Sequence, residues 1–388
     1  MSTVLRGNWN YPTRIWAGPG RISELPAACA ELGIKRPLLV TDTGLKDSAM
    51  VRRAILLLSS ATLFADVRGN PVAANVEAGL AEYLSGGHDG VVAFGGGSAL
   101  DAGKVIAFMA GQTRPLWDFE DVGDWWTRAD PKGIAPVVAV PTTAGTGSEV
   151  GRAGVILNEA THQKKIIFHP KMMPGLVIAD PELTVGLPPK ITAATGIDAF
   201  VHCFEAYCAP GFHPLADGVA LEGMRLIKEY LPRAFANGKD IEARSRMLAA
   251  ASMGATAFQK GLGGVHAIAH PVGSFFDTHH GLTNAVLLPY VMIHNRDAIA
   301  ERMRDVARLL NLPTADFDAV LNWVLQFRKQ LAIPHTLAEI GVTLRNPEEI
   351  GREAAADPSA AGNPIPVDAP TLERLFRSAV AGDLGLKG

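Results

Sequence analysis

Cysteine is scarce in this chain of 388 residues, which contains only Cys29, Cys203 and Cys208. No two of them form a CxxC pair, and an odd number is a poor basis for a disulfide framework. Such usage is typical of a reducing compartment, so we expect a cytoplasmic protein. Cys203 and Cys208 are interpreted as small apolar residues of a buried core.

An excess of positive charge and a long apolar run are also missing. The formal net charge is −3, and the basic residues are scattered, which argues against nucleic acid or an anionic membrane surface as the main partner. Mostly apolar stretches of about 20 residues are interrupted by charge; residues 88–111, for example, contain Asp101 and Lys104. The N-terminal segment has no apolar core of signal-peptide length, so neither export nor membrane association is expected.

Two patterns of secondary structure divide the chain. In the first part, short apolar runs such as RPLLVTD (36–42) and GVVAF (90–94) alternate with helical segments, which predicts a parallel sheet built from βαβ units. From residue 191 onward the pattern is almost wholly helical. The segment 180–190, with three prolines and a glycine, breaks both patterns. We therefore predict an α/β domain over residues 1–187 and an all-helical domain over residues 188–388.

A glycine-rich segment, GGGSALDAGK (95–104), follows the strand GVVAF. Glycines between a buried strand and a helix allow backbone amides to approach phosphate oxygens, and the helix N-terminus adds positive potential. The segment is not the G-x-G-x-x-G fingerprint of the common Rossmann fold. A purely structural interpretation is a tight turn in which Ser98 caps the helix and Asp101 completes a capping box. The two interpretations are compatible.

Histidines and one aspartate in the helical part have the spacing of metal ligands. Asp198 and His202 lie four residues apart, as do His266 and His270, so each pair leaves one face of a helix. Three imidazoles and a carboxylate suit Fe²⁺ or Zn²⁺ better than Ca²⁺ or Mg²⁺. Spacing alone does not decide which side chains bind, because His279 and His280 are further candidates.

Three segments, GIDAFVHCFEAY (196–207), GVHAIAHPVG (264–273) and HGLTNAVLLP (280–289), resemble motifs of the iron-containing, or group III, alcohol dehydrogenase family. The resemblance implies that Asp198, His202, His266 and His280 bind a divalent metal, Fe²⁺ or alternatively Zn²⁺. It also implies that His270 lines the site, where it serves as a catalytic proton relay or packs beside the ligands. The implied fold is the two-domain architecture that dehydroquinate synthase shares.

The segments GGGSALDAGK and PTTAGTGSE (141–149) resemble the cofactor-binding motifs of the same family. Asp42 matches an acid near the adenosine ribose, where a carboxylate favours NAD over NADP. Lys165 matches a family lysine, with Lys164 as the alternative that faces solvent. The residues that the resemblance implies for cofactor binding are Asp42, Asn70, Gly96, Gly97, Ser98, Asp101, Thr142, Thr143, Thr146, Lys165 and Leu183.

The function implied by the resemblance is hydride transfer between a nicotinamide cofactor and a small primary alcohol or aldehyde. An ω-hydroxy acid such as 4-hydroxybutyrate is an alternative substrate, and a lyase of the dehydroquinate synthase type is an alternative reaction. Arg152 is a candidate for binding a substrate carboxylate. A homo-oligomer, dimeric or larger, is expected. The segment 355–368, AADPSAAGNPIPVD, is interpreted as a loop without a defined role.

Overall fold

The computed structural model describes residues 12–385 of the chain. Its strands are β1 Arg14–Ala17, β2 Pro37–Asp42, β3 Thr62–Val67, β4 Gly90–Gly95, β5 Val137–Pro141, β6 Ala153–Asn158, β7 Gln163–Phe168 and β8 Leu176–Ala179. Its α-helices are α1 Leu25–Glu31, α2 Ala49–Leu57, α3 Ala73–Ser85, α4 Gly97–Met109, α5 Pro189–Cys208, α6 Pro214–Ala236, α7 Ile241–Ala257, α8 Gly264–Phe276, α9 His280–His294, α10 Arg296–Leu309, α11 Phe317–Gln330, α12 Pro347–Ala356 and α13 Ala369–Ala381. Short 3-10 helices cover Arg21–Glu24, Leu116–Phe119, Trp125–Arg128, Ser148–Val150, Pro170–Met172, Pro181–Thr184, Phe258–Lys260, Ala338–Ile340 and Pro358–Gly362.

Six of the strands form one parallel sheet in the order β1-β8-β5-β4-β2-β3. Every residue of β4, β5 and β8 is buried, whereas the edge strands β1 and β3 are largely exposed or half-buried. This is why the central strands are continuous apolar runs without polar alternation. Strands β6 and β7 form a separate antiparallel hairpin.

The two faces of the parallel sheet are covered by two different apolar cores. Alternate residues of one strand point to opposite faces, so Val91 and Ala93 of β4 belong to one core and Val92 and Phe94 to the other. The first core contains residues of α3 and α4, and the second contains residues of α1 and α2. A parallel sheet with helices on both faces confirms the predicted α/β class of the first part of the chain.

The described chain separates into two compact units between Gly186 and Leu187. Residues 187–385 contain helices and, within that described range, no strand, as predicted. Several of these helices begin at a capping aspartate: Asp240, Asp316 and Asp368 each accept a hydrogen bond from the first turn of α7, α11 and α13. None of the helices between residues 12 and 385 combines the length and apolar composition that a membrane span requires.

Three details differ from the sequence-based expectations. The alternation of aromatic or β-branched residues with polar ones in WNYPTRIWA (9–17) predicts an edge strand; the structure has a strand from Arg14 to Ala17, and residues 9–11 lie outside the described part. The helical pattern predicts helices up to residue 331 and a last one near 370–382, but none over α12, although Pro347 at its first turn is a start signal. The segment interpreted as a loop from residue 355 contains the end of α12 and the 3-10 helix Pro358–Gly362.

Candidate functional site

Helix α5 carries the first half of the predicted metal site. Every residue from Thr192 to Cys208 is buried, so the helix is surrounded by other elements and can hold polar side chains only where partners meet them. Asp198 and His202 leave the same face one turn apart, and His202 Nε2 lies 3.9 Å from Asp198 Oδ1. The predicted spacing is therefore realised within one helix.

Helices α8 and α9 supply the second half, through His266 and His280. His280 is the first residue of α9, and Gly281 follows it. A Cβ atom at Gly281 would lie 2.7 Å from the carbonyl oxygen of Ala194 and 2.9 Å from Asp198 Cβ. Because only glycine permits this approach, Gly281 allows the start of α9 to pack directly against α5 and places His280 Nε2 4.0 Å from Asp198 Oδ1.

The four side chains converge in space. One ligand atom each from Asp198, His202, His266 and His280 lies within 4.8 Å of the other three. The first three are buried, and the His280 side chain is 27% exposed. Three imidazoles with one carboxylate fit a borderline divalent cation such as Fe²⁺ or Zn²⁺. The residues present therefore fit the metal that the sequence predicts.

Glu205 supports His266 from the side opposite the cluster. Its carboxylate lies 2.6 Å from His266 Nδ1 and accepts a hydrogen bond of 2.7 Å from the Val265 amide. Burial raises the pKa of Glu205 to about 7, and the backbone donors oppose that shift. Burial also lowers the pKa of His266 well below its usual value, with the charge of His202 acting in the same direction. A neutral His266 that donates from Nδ1 presents the Nε2 lone pair that a metal requires.

His270 lies beside the cluster rather than within it. Its ring stacks on that of His280 at a centroid distance of 5.4 Å, and its Nδ1 lies 2.7 Å from Asp357 Oδ2. Burial opposes ionisation of Asp357, but the charge and hydrogen bond of His270 and the Ser359 amide bring its pKa below the usual value. His279 has a different role, because its Nδ1 accepts from the Leu282 amide and caps α9.

Three residues of this site were missed from the sequence: Glu205, Asn284 and Asp357. Glu205 lies three residues after His202, and Asn284 lies four residues after His280, so helical spacing could have identified both. Asp357 lies in the segment that was interpreted as a loop without a role. That interpretation was wrong, because this carboxylate hydrogen-bonds to His270.

Most of the predicted cofactor residues lie at the carboxyl ends of parallel strands in the other unit. Strand β2 has β3 on one side and β4 on the other, so the strand order reverses between β2 and β4. In open α/β sheets, ligands bind at the carboxyl ends of the strands at such a reversal. Strand β2 ends at Asp42, the glycine-rich turn begins at the end of β4, and the threonines follow β5.

Asp42 and the glycine-rich turn are neighbours. A Cβ atom at Gly95 would lie 3.2 Å from Asp42 Oδ2, and the Thr142 amide donates to the Gly95 carbonyl oxygen at 2.9 Å. The Asp42 carboxylate accepts hydrogen bonds from the amides of Gly44 and Leu45. Burial raises the pKa of Asp42, and these two amides oppose the shift.

The glycine-rich turn lies directly on the threonine loop. A Cβ atom at Gly97 would lie 2.5 Å from Thr146 Oγ1, and one at Gly96 would lie 3.3 Å from Thr143 Cγ2. No side chain of the described residues caps the N-terminus of α4. The free amides of that turn, with glycines that leave room in front of them, fit a phosphate group.

The alternative interpretation of this turn, a capping box, was wrong. The N-cap of α4 is Gly96, and Ser98 Oγ donates instead to the carbonyl oxygen of Gly69, next to Asn70. Asp101 accepts from the hydroxyl of Ser148 and from the Val155 amide, away from the start of the helix.

Asp101 and Lys104 form a buried ion pair beneath the threonine loop. Lys104 Nζ lies 3.3 Å from Asp101 Oδ1 and donates to the carbonyl oxygens of Ser148 and Ala153. Its side chain is 1% exposed. Burial lowers the pKa of Lys104, and the charge of Asp101 opposes the shift. The pair connects α4 to the segment that follows the threonines.

Three further residues, Lys165, Leu183 and Arg152, were predicted to bind the cofactor or the substrate. Lys165 on β7 pairs with Glu120 at 3.2 Å and is 27% exposed. Leu183 is buried in the core beneath the sheet. The Arg152 guanidinium lies over the Phe168 ring at 5.6 Å from its centroid. These contacts do not test the cofactor or substrate roles of the three residues, which stay predictions.

Comparison with known proteins gives matches over nearly the whole chain. Residues 12–181 match the family described as iron-containing alcohol dehydrogenase, and residues 192–380 match the C-terminal part of the Fe-containing alcohol dehydrogenase family. The chain is 37% identical to a 4-hydroxybutyrate dehydrogenase of Cupriavidus necator, covering 95% of this chain and 99% of that protein. It is 34% identical to an NAD-dependent methanol dehydrogenase of Bacillus methanolicus, covering 96% and 100%. A crystal structure of 1,3-propanediol oxidoreductase superimposes with a TM-score of 0.91 at 34% identity, covering 96% and 100%.

Proposed function

Because the chain belongs to the iron-containing alcohol dehydrogenase family, we propose that it interconverts small primary alcohols and aldehydes with NAD and a divalent metal. The observation that carries this proposal is the cluster of Asp198, His202, His266 and His280, whose ligand atoms lie within 4.8 Å of one another. The proposed metal is Fe²⁺, with Zn²⁺ as the alternative. When bound, the cation supplies Lewis acidity toward the substrate oxygen, and the nicotinamide accepts or donates the hydride.

The residues of the helical unit hold and orient these groups. His266 presents a neutral nitrogen, because burial disfavours its charged form. Glu205 accepts from His266 Nδ1 and so directs Nε2 toward the cation. In the same way Asp357 holds Nδ1 of His270, which leaves His270 Nε2 to accept the alcohol proton and pass it toward solvent.

The residues at the strand ends bind the dinucleotide. Gly96, Gly97 and the uncapped start of α4 receive the pyrophosphate, and Thr143 and Thr146 line the same turn. Ser98, Asn70, Thr142, Asp101, Lys165 and Leu183 belong to this proposal as well. Asp42 lies at the end of β2, where an ionised carboxylate accepts from a ribose 2′-hydroxyl and repels a 2′-phosphate. This supports NAD rather than NADP as the cofactor.

An anaerobic assay tests the proposed reaction. The full chain, loaded with Fe²⁺, is supplied with alcohols and NAD, and formation of reduced nicotinamide is followed by absorbance. We expect turnover that disappears after chelation and in His266→Ala. Net reduction of NAD by a simple alcohol also excludes the lyase alternative, in which the cofactor is regenerated. Equal activity of the chelated protein, His266→Ala and the loaded wild type would refute the metal site.

An ω-hydroxy acid is the second candidate substrate. It is supported by the similarity to the 4-hydroxybutyrate dehydrogenase of C. necator. Comparison of kcat/KM for 4-hydroxybutyrate and for the uncharged 1,4-butanediol separates the two substrate classes. A preference for the acid that Arg152→Gln removes would assign its carboxylate to Arg152. An equal loss with both substrates would exclude that assignment.

Three broader predictions belong to the same proposal. The boundary between a domain of residues 1–187 and one of residues 188–388 is supported by the separation of the described chain after Gly186. The cytoplasmic location is supported by three buried free cysteines. A homo-oligomer, dimeric or larger, is supported by the family resemblance, and light scattering of the purified protein tests it.

A further inference from the structure

Asn284 is a fully buried amide at the centre of the proposed metal site. It lies on α9, one turn after His280, and its exposed fraction is 0%. Its Nδ2 lies 2.8 Å from Asp198 Oδ1, 3.0 Å from His266 Nε2 and 3.1 Å from His280 Nε2. One side chain therefore contacts three of the four proposed ligands, which come from α5, α8 and α9.

The contacts exceed what an amide can satisfy at one time. An amide nitrogen carries two protons, but three acceptor atoms surround Asn284 Nδ2. On the other side of the group, Oδ1 is buried without a hydrogen-bond partner among the described residues. A buried amide with an unsatisfied oxygen costs free energy that an apolar residue of the same size would not. Core packing alone therefore does not account for an asparagine at this position.

We propose that Asn284 is a positioning residue that assembles the metal ligands before the cation enters. This inference rests on the proposed metal site. The Asn284 amide donates to the same lone pairs that a cation would take, and so holds Asp198, His266 and His280 at close spacing without metal. A cation that takes the imidazole lone pairs leaves the carboxylate of Asp198 as the acceptor for Asn284, because a carboxylate accepts several hydrogen bonds.

This role predicts a specific effect on metal affinity. Without Asn284, three acceptors from three helices, two of them on buried side chains, face one another with no donor between them. The cation itself must then bring the helices to metal-binding spacing. When a cation holds the imidazoles, the Asn284 amide would still donate to the Asp198 carboxylate, and loss of such a partner of a metal ligand typically weakens metal binding about 10- to 100-fold. We expect a loss in that range for Asn284→Ala and for Asn284→Leu, which keeps the volume of the side chain.

The experiment measures Co²⁺ binding to the full chain by competition with a chelator, together with the visible absorption of the bound Co²⁺. The matched control is Asn295→Ala. Asn295 is also buried and directly follows α9, but it hydrogen-bonds to Asn363 and, among the described residues, to none of the four proposed ligands. The positioning role predicts that both Asn284 variants bind Co²⁺ about 10- to 100-fold more weakly with an unchanged spectrum. It predicts that Asn295→Ala binds Co²⁺ as the wild type does.

Three other outcomes overturn the inference in distinguishable ways. Equal Co²⁺ affinity of wild type, Asn284→Ala and Asn284→Leu would make Asn284 a polar core residue. A change in the Co²⁺ spectrum that indicates a lower coordination number would make its amide oxygen a metal ligand. If the wild type binds no Co²⁺, the proposed metal site fails and the inference fails with it.

Discussion

Replacement of Glu205 by glutamine tests the electrostatic reasoning about the metal site. Glutamine has nearly the same shape, so packing within α5 is preserved. It can still accept from the Val265 amide through its oxygen, but its nitrogen would then face His266 Nδ1 as a donor. His266 would have to accept at Nδ1 and carry its proton on Nε2, which is the tautomer that cannot bind a metal.

The expected changes in metal affinity and in stability have opposite signs. The change of tautomer is expected to weaken metal binding about 10- to 100-fold, which equals about 1.4 to 2.8 kcal/mol. The pKa of Glu205 is raised by burial from 4.5 to about 7. The folded protein holds this proton more tightly than the unfolded chain does. The fold therefore loses stability between pH 4.5 and about 7, at about 1.4 kcal/mol per pH unit, and above pH 7 the total loss is about 3 kcal/mol. Metal-free Glu205→Gln should therefore be more stable than wild type above pH 7.

The stability gain should shrink as the pH falls from 7 to 4.5 and vanish below that, where Glu205 is protonated in both states. Denaturant unfolding in the presence of a chelator measures the stability at several pH values, and chelator competition with Co²⁺ measures the affinity. Glu301→Gln is the control, since Glu301 is an exposed residue of α10 and its replacement should change neither quantity. Unaltered Co²⁺ affinity of Glu205→Gln would refute the proposed role of Glu205.

Three predictions concern the cofactor turn and the proton relay. Asp42→Gly should raise kcat/KM with NADP relative to NAD, because a carboxylate that repels a 2′-phosphate is lost; an unchanged ratio would remove Asp42 from that role. Gly97→Ala should weaken NADH binding in a fluorescence titration about tenfold or more, since its Cβ meets the threonine loop at 2.5 Å, whereas Gly186→Ala, with open space around its Cβ, should not. Asp357→Asn should lower kcat about 10- to 100-fold with normal metal content, because the amide no longer fixes the proton on Nδ1 of His270; a normal kcat would contradict the relay.

The sequence was sufficient to predict features that depend on local spacing. The continuous apolar runs of β4 and β5 predicted buried parallel strands, and the structure buries every residue of both. The four-residue spacing of Asp198 and His202 placed the two on one helical face. The choice of His266 and His280 among the four histidines near α8 and α9 came from the family resemblance, because spacing alone left it open.

The features that the sequence left undetermined depend on contacts between distant segments. Asp357 follows α12, 87 residues after His270, and no local pattern connects them. The capping box failed for a related reason: Asp101 satisfies its carboxylate with Ser148 and Val155, more than 40 residues away. A sequence pattern states which hydrogen bonds a polar side chain can make locally, but tertiary packing decides among them.

The unequal burial of the four proposed ligands determines how an ion exchanges with the surroundings. The side chains of Asp198, His202 and His266 are 2–4% exposed, whereas that of His280 is 27% exposed. An ion bound by these residues would therefore meet solvent on the side of His280. Substitutions around His280 should alter the rates of metal loading and loss more than the equilibrium between them.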